Sequence, residues 1–294
     1  MRGIPLPVIA IVASALLWGI WWLPLRWLEG LGFDSLPLNA LLYGAGALVL
    51  LPFIVPKLPG LRNQPEVLAS GIALGFALIA WNLALLHGEV VRATLLFYLS
   101  VVWASLMEWV VLRRRVRLVR VIAVVLGLGG AWFLLSSDGG PPVPRGVGDW
   151  FGIVSGLLFA IAVTIASVTK ELDSREQTCI AFITATVIGC GATLALPGGM
   201  PLAKLTPLAY GAVIAVAVVL LVPTCMLFFW SARSLTPGRV SLLMLLGVAA
   251  AAVSASTIAG EPFGLKEALG CSLIMSSGLV EGLLPDREAT APLG

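Results

Sequence analysis

The sequence predicts an all-α integral membrane protein of ten transmembrane helices, arranged as two inverted five-helix repeats. Three observations predict it. Of 294 residues, 59% are hydrophobic and 11% are charged, whereas a soluble domain carries about 25% charged residues. So few charges cannot hydrate a surface, and lipid must be the main solvent. The apolar residues fall into ten runs, each near the roughly 20 residues needed to cross the hydrocarbon core. The basic residues gather in alternate connections between those runs, as expected of loops that stay on one side of a membrane.

The ten runs are 5–27, 36–56, 66–87, 90–111, 117–135, 148–170, 176–197, 205–230, 236–258 and 264–284. The first has no small-residue cleavage site at its end, so it reads as a membrane helix and not as a signal peptide. Leu36-Pro37 opens the second, and Pro56 to Pro65 fills the gap before the third. His87-Gly88-Glu89 is the faintest break. The arginines 113, 114, 115, 117 and 120 separate the fourth run from the fifth. Asp138 to Asp149, with Gly139-Gly140-Pro141-Pro142, is the longest polar break. Pro197-Gly198-Gly199, Thr236-Pro237-Gly238 and Glu261-Pro262 punctuate the rest.

Lys and Arg set the orientation. With a cytoplasmic N-terminus, 13 of the 18 basic residues lie inside and 5 outside, the latter being Arg26, Arg92, Arg145, Lys204 and Lys266. Both termini are therefore expected in the cytoplasm, and the short loops suit a multi-pass protein of the cell's inner (plasma) membrane. The long break divides the chain into a first repeat (1–137), a linker (138–147) and a second repeat (148–294). Five helices per half force the second half upside down relative to the first. At an offset of 147 residues Arg92 meets Arg239, Leu95 meets Leu242, Leu96 meets Leu243, Leu99 meets Leu246, Val101 meets Val248 and Ala104 meets Ala251. Gly44-x-Gly46, Gly71-x-x-x-Gly75, Gly127-x-Gly129-Gly130 and Gly152-x-x-x-Gly156 would let helices approach closely.

Several functions are excluded or disfavoured. The four cysteines, Cys179, Cys190, Cys225 and Cys271, form no C-x-x-C pair, so neither a disulfide framework nor a zinc site is indicated. The arginine cluster lies between two apolar runs and reads as a loop facing anionic headgroups, not as a nucleic-acid patch. No Walker A motif, dinucleotide glycine loop or H-E-x-x-H is present, and no Ser-His-Asp set is assembled from the single histidine, His87. The chain is expected to be neither an enzyme nor a holder of cofactor or metal.

Short motifs then carry a resemblance. Ala15-Leu16-Leu17-Trp18-Gly19 with Arg26 eight residues on, Tyr43 in the second run, Tyr98-Leu99 in the fourth and Gly260-Glu261-Pro262 before the tenth resemble the drug/metabolite transporter superfamily, specifically its ten-helix EamA-type members. The likeness spans nearly the whole chain and is nearest to the YddG-like aromatic amino-acid exporters. The sequence departs from that pattern in two places: Ser100-Val101 replaces the family's Trp-Pro after Tyr-Leu, and Arg113-Arg114-Arg115 replaces the first Gly-Glu turn. The resemblance implies export of amino acids or similar small metabolites by alternating access. It places helices 1, 3, 4, 6, 8 and 9 around a central cavity, with helices 5 and 10 at the periphery, where they would pack or form a homodimer. Another solute, such as a purine, a drug-like cation or a nucleotide sugar, is the alternative, and a scaffold or sensor without flux is a further one.

The candidate substrate-binding residues are Trp18, Trp22, Arg26, Tyr43, Trp81, Asn82, Tyr98, Ser100, Trp103, Thr164 and Ser241. Indole and phenol rings can clasp a flat solute and still offer a polar tip, or hold an ammonium over a ring face. Against this, Trp27, Trp109, Trp150 and Trp230 lie at span ends, where an interfacial belt explains them. A mid-span hydroxyl can bond back to its own helix, but Asn82 cannot hide so easily. Arg26 would meet a substrate carboxylate or else snorkel to headgroups. Glu108 is expected to pair with the arginine cluster.

Overall fold

The structure is a computed structural model that describes residues 5–33, 35–57, 64–87, 96–113, 118–135, 144, 146–169, 173–195, 206–259 and 264–283. The Gly260-Glu261-Pro262 turn, Arg92, Arg114 to Arg117, most of the 138–147 linker and the His87 side chain lie outside it.

Ten apolar helical segments follow one another. Leu6–Gly19 and Trp22–Gly30 form α1, and Ser35–Ile54, Pro65–His87, Ser100–Val110 and Leu118–Leu135 form α2 to α5. Val147–Val168 is α6 and Ser174–Ala195 is α7. Pro207–Ala232 is α8. Pro237–Met244 and Leu246–Ala259 form α9, and Leu265–Leu283 forms α10. Seven of these are long and apolar enough to cross a membrane, and α4, α5 and α10 contribute shorter apolar stretches. With no solvent to accept backbone polar groups in lipid, helices are the structure such runs must form.

Prolines explain two interruptions. A proline removes one N–H and clashes with the carbonyl four residues earlier. The sequence expects an unbroken helix over 5–27. Instead α1 breaks at Ile20–Trp21, four residues before Pro24, and the Ile20 carbonyl accepts from Leu23 N at 3.1 Å. In α8 the turn Ala217–Leu221 widens to a π-helix, which accommodates Pro223 against Val219.

Two further breaks have no proline. The chain turns at Tyr98-Leu99 before α4 and again at Leu245 within α9. These sites are 147 residues apart, at the offset the sequence indicated. Val101 N donates to Tyr98 O at 3.1 Å, and its counterpart Val248 N donates to Leu245 O at 2.9 Å. Corresponding interruptions in two halves are a mark of inverted-repeat carriers.

The packing obeys the same exchange of halves. Contact of α3 with α6 is matched by α8 with α1, α4 with α6 by α9 with α1, and α3 with α7 by α8 with α2. The pairs α2–α7, α4–α9 and α5–α10 map onto themselves. The molecule is thus a two-fold pseudo-symmetric bundle of two inverted repeats. Apolar lipid gives helices no hydrophobic reason to associate, so close contact must do it. A Cβ on Gly247 would lie 2.7 Å from the Ala15 carbonyl, and one on Gly75 would lie 2.7 Å from the Ala181 carbonyl. Glycine is what lets α9 touch α1 and α3 touch α7.

Candidate functional site

One end of the bundle is fastened by charge. Glu108, 2% exposed at the last turn of α4, accepts from Arg120 of α5 at 2.7 Å. Its other oxygen accepts from Gly238 N at 3.1 Å. Thr236, placed to cap α9, leaves its hydroxyl unpartnered among the described residues, so Glu108 supplies the negative charge that a helix N-terminus favours. The pairing expected of Glu108 with the arginine cluster is present. At the same end Lys57, following α2, holds Asp173 at 3.0 Å and Glu176 at 2.9 Å, tying α2 to the start of α7. Burial pushes the Asp173 carboxyl up, but the Arg175 amide and the Lys57 ammonium outweigh it and hold the group below its ordinary range. Burial holds the nearby Arg233 guanidinium down, against the pull of Asp173 and Glu176.

The opposite end is fastened differently. Trp22 Nε1 donates to Ser254 Oγ at 3.0 Å, joining α1 to α9, and Ser254 donates in turn to Ala251 O at 3.0 Å. The Arg26 guanidinium lies 4.8 Å from the centre of the Trp22 ring. The residue equivalent to Ser254 is at the charged end. Met107 stands 147 residues before Ser254, and its Sδ lies 3.6 Å from Thr164 Oγ1 of α6. Thr164 also donates to its own helix at Ala160 O, 2.7 Å away. At one end α1 meets α9 through an indole hydrogen bond, and at the other α4 meets α6 through a weak sulfur contact.

Between the ends runs a chain of aromatic rings. Trp81 on α3 lies 5.0 Å from Phe97, which lies 5.5 Å from Tyr98 and 5.5 Å from Phe159 on α6. Phe159 meets Phe228 on α8 at 5.3 Å, and Phe228 meets Phe229 at 5.3 Å. Trp18 packs with Trp21 at 5.5 Å on α1. One ring path thus joins α3 and the turn before α4 in the first half to α6 and α8 in the second. Sequence reasoning missed Phe97, Phe159, Phe228 and Phe229, because phenylalanine lacks a polar tip and passes for a lipid-facing residue. The one signal available was Phe97 standing directly before Tyr98.

The other candidates divide. Asn82 Nδ2, Trp103 Nε1 and Ser241 Oγ are buried donors with no partner among the described residues. Ser100 is buried beside the α4 break. Tyr43 stands apart from the ring path, its ring tilted against Phe182 at 5.6 Å in the α2–α7 contact. Trp27, Trp109 and Trp150 are exposed on the outside of the bundle. Gln177, not foreseen as a candidate, is fully buried at the start of α7 with both polar atoms unpartnered among the described residues. Buried carboxylates, Glu108, Asp149 and Glu176, occur only in the first or last turn of their helices among the described residues, and no group of His, Cys, Asp and Glu there could hold a metal ion.

An inverted-repeat helical bundle, tied at both ends and crossed between them by packed aromatic rings, has the architecture of a membrane carrier. Comparison with known proteins makes the class specific. The model of the EamA-like transporter family matches residues 5–136 and again 146–280, one match per half. The chain belongs to the EamA-like transporter family, whose members are membrane transporters of small solutes. A solved crystal structure of a protein superposes with a TM-score of 0.76 at 16% identity, covering 95% of this chain and 98% of its own, which establishes a shared fold. No curated protein matches the chain.

Proposed function

We propose that this carrier exports amino acids, aromatic or apolar ones preferred, or closely similar small metabolites. The observation that carries the reading is the pairing of aromatic rings with donors that lack acceptors: Trp81, Phe97, Tyr98 and Phe159 on one hand, Asn82, Trp103 and Ser241 on the other. Unmet donors in a low-dielectric site cost several kcal/mol in order of magnitude and favour a ligand that brings acceptors, such as a carboxylate. The described carboxylates all sit at helix ends, so among the described residues none stands between the helices as a counter-ion for a permanent cation. A zwitterion, with its ammonium against a ring face, fits better than a drug-like cation. The outward direction rests on the resemblance to the aromatic amino-acid exporters.

In the mechanism this supports, the halves 1–137 and 148–294 rock about the α4 and α9 breaks. The charged end, with Glu108 and Lys57, is the cytoplasmic gate of an inner-membrane protein. Trp22, Ser254 and Arg26 form the outer gate, where Arg26 can draw the carboxylate outward once the indole lets go. Thermal unfolding of the purified protein against a panel of solutes tests the substrate class, since a ligand at about 100 times its Kd stabilises by about 2.7 kcal/mol. Phenylalanine or tryptophan should raise the unfolding temperature, and Tyr98→Ala should abolish the rise. Stabilisation by a purine or a quaternary cation alone would move the assignment to that solute.

A further inference from the structure

Outside the solute path, the lipid-facing wall carries a groove between α4 and α5. Val102, Leu106 and Trp109 form one side, and Val121, Val124 and Val125 the other. Its one hydroxyl, on Ser105, is already committed to Val101 O at 2.9 Å, so the lining offers nothing but hydrocarbon and an indole. Both rims are exposed, with Trp109 at 53% and Val125 at 65%. From Trp109 to Val102 is seven residues, about 10 Å of helix rise, so the groove reaches from the charged end into the hydrocarbon region. Four residues beyond Trp109 in the chain stands Arg113, exposed and held at φ 51°, a left-handed conformation that residues with a side chain rarely adopt. In sequence Arg113 opens a run of five arginines within eight residues.

We propose that this groove is a binding site for one anionic phospholipid, an acyl chain lying between α4 and α5 and the phosphate at Arg113. An apolar slot fits an acyl chain, an indole at the rim suits the glycerol level, and positive charge at the head fits an anionic headgroup. Charge also argues against a second copy as occupant. A two-fold pairing puts the same surface on both partners and would bring one Arg113 towards the other.

The test is a titration of the purified protein with phosphatidylglycerol and, separately, phosphatidylcholine of the same chains, with bound lipid counted by native mass spectrometry. Phosphatidylglycerol should be retained preferentially. One basic residue near a membrane surface is worth about 1 kcal/mol, so Arg113→Gln should weaken its binding about fivefold. Val125→Trp, which fills the groove from an exposed position, should remove it while leaving the protein monodisperse. Equal retention of the two lipids overturns the proposal. So does anionic preference that survives Val125→Trp, which would place the lipid elsewhere on the basic loop. A dimer that Val125→Trp dissociates would overturn it in favour of a second copy.

Discussion

Trp22→Phe removes the indole N–H that joins α1 to α9 and keeps an aromatic ring beneath Arg26. Interhelical hydrogen bonds in membranes average about 0.6 kcal/mol and reach about 1.7. If the bond exists only when the outer gate is shut, its loss should raise the ratio of open to shut molecules about threefold, and at most about eighteenfold. Spin labels can read that ratio. Gly30→Cys introduces a Cβ with nothing within 4 Å, and Ile258 is 61% exposed at the end of α9. With the exposed Cys190 replaced by alanine, a distance distribution between labels at 30 and 258 should show a short, shut population and a long, open one. Trp22→Phe should enlarge the long population. Ser254→Ala should do the same, and the double variant should add little to either, because both remove one shared bond. Unchanged populations in both single variants would refute the assignment of this contact as a gate.

Other outcomes follow from the same geometry. Gly247→Val places a side chain 2.7 Å from the Ala15 carbonyl. Overpacking of this kind costs about 1–3 kcal/mol, so size-exclusion thermostability should fall by several degrees, at about 2–4 °C per kcal/mol. Glu108→Gln strips Arg120 of its carboxylate at a buried site, a loss of about 3–5 kcal/mol, and folded yield should drop. Replacing both Glu108 and Arg120 by methionine should restore part of that yield. The Asp173 carboxyl is held below the ordinary value of 3.8, so its stabilisation of the charged end is complete above that value and is lost only as pH falls through the lowered one. Asp173→Asn should therefore shift transport by a constant factor between about pH 5 and 8. With Lys57 half exposed, that factor corresponds to about 0.2–1 kcal/mol. A new titration step in that window in the variant's rate profile would contradict the assignment.

Much of the fold was legible because membrane helices leave a coarse mark: runs of about 20 apolar residues and an asymmetry of Lys and Arg. The offset of 147 was legible from a few Leu, Val and Ala matches, and the paired Val101 and Val248 bonds give it structural content. Glu108 was legible because a carboxylate that deep must have a partner, and Arg120 lies within reach. The breaks at Tyr98 and Leu245 were not legible. Neither contains a proline, and the close contacts beside them, Gly156 with the Phe97 carbonyl and Gly247 with the Ala15 carbonyl, join helices distant in sequence. The ring path was half legible, with Trp81 and Tyr98 visible through their polar tips and the phenylalanines hidden among lipid-facing ones. Tyr43 looked like a site residue by its motif, and only the α2–α7 packing shows that its ring lies against Phe182.

Counterflow across a proteoliposome membrane tests the central claim most directly. Vesicles loaded with unlabelled phenylalanine are diluted into trace labelled phenylalanine, and label inside is followed over time. An alternating-access carrier should accumulate label transiently above equilibrium, and Tyr98→Ala or Phe97→Ala should slow that uptake while Val125→Trp leaves it intact. No counterflow for any amino acid, by protein shown to be folded and inserted, would contradict the account.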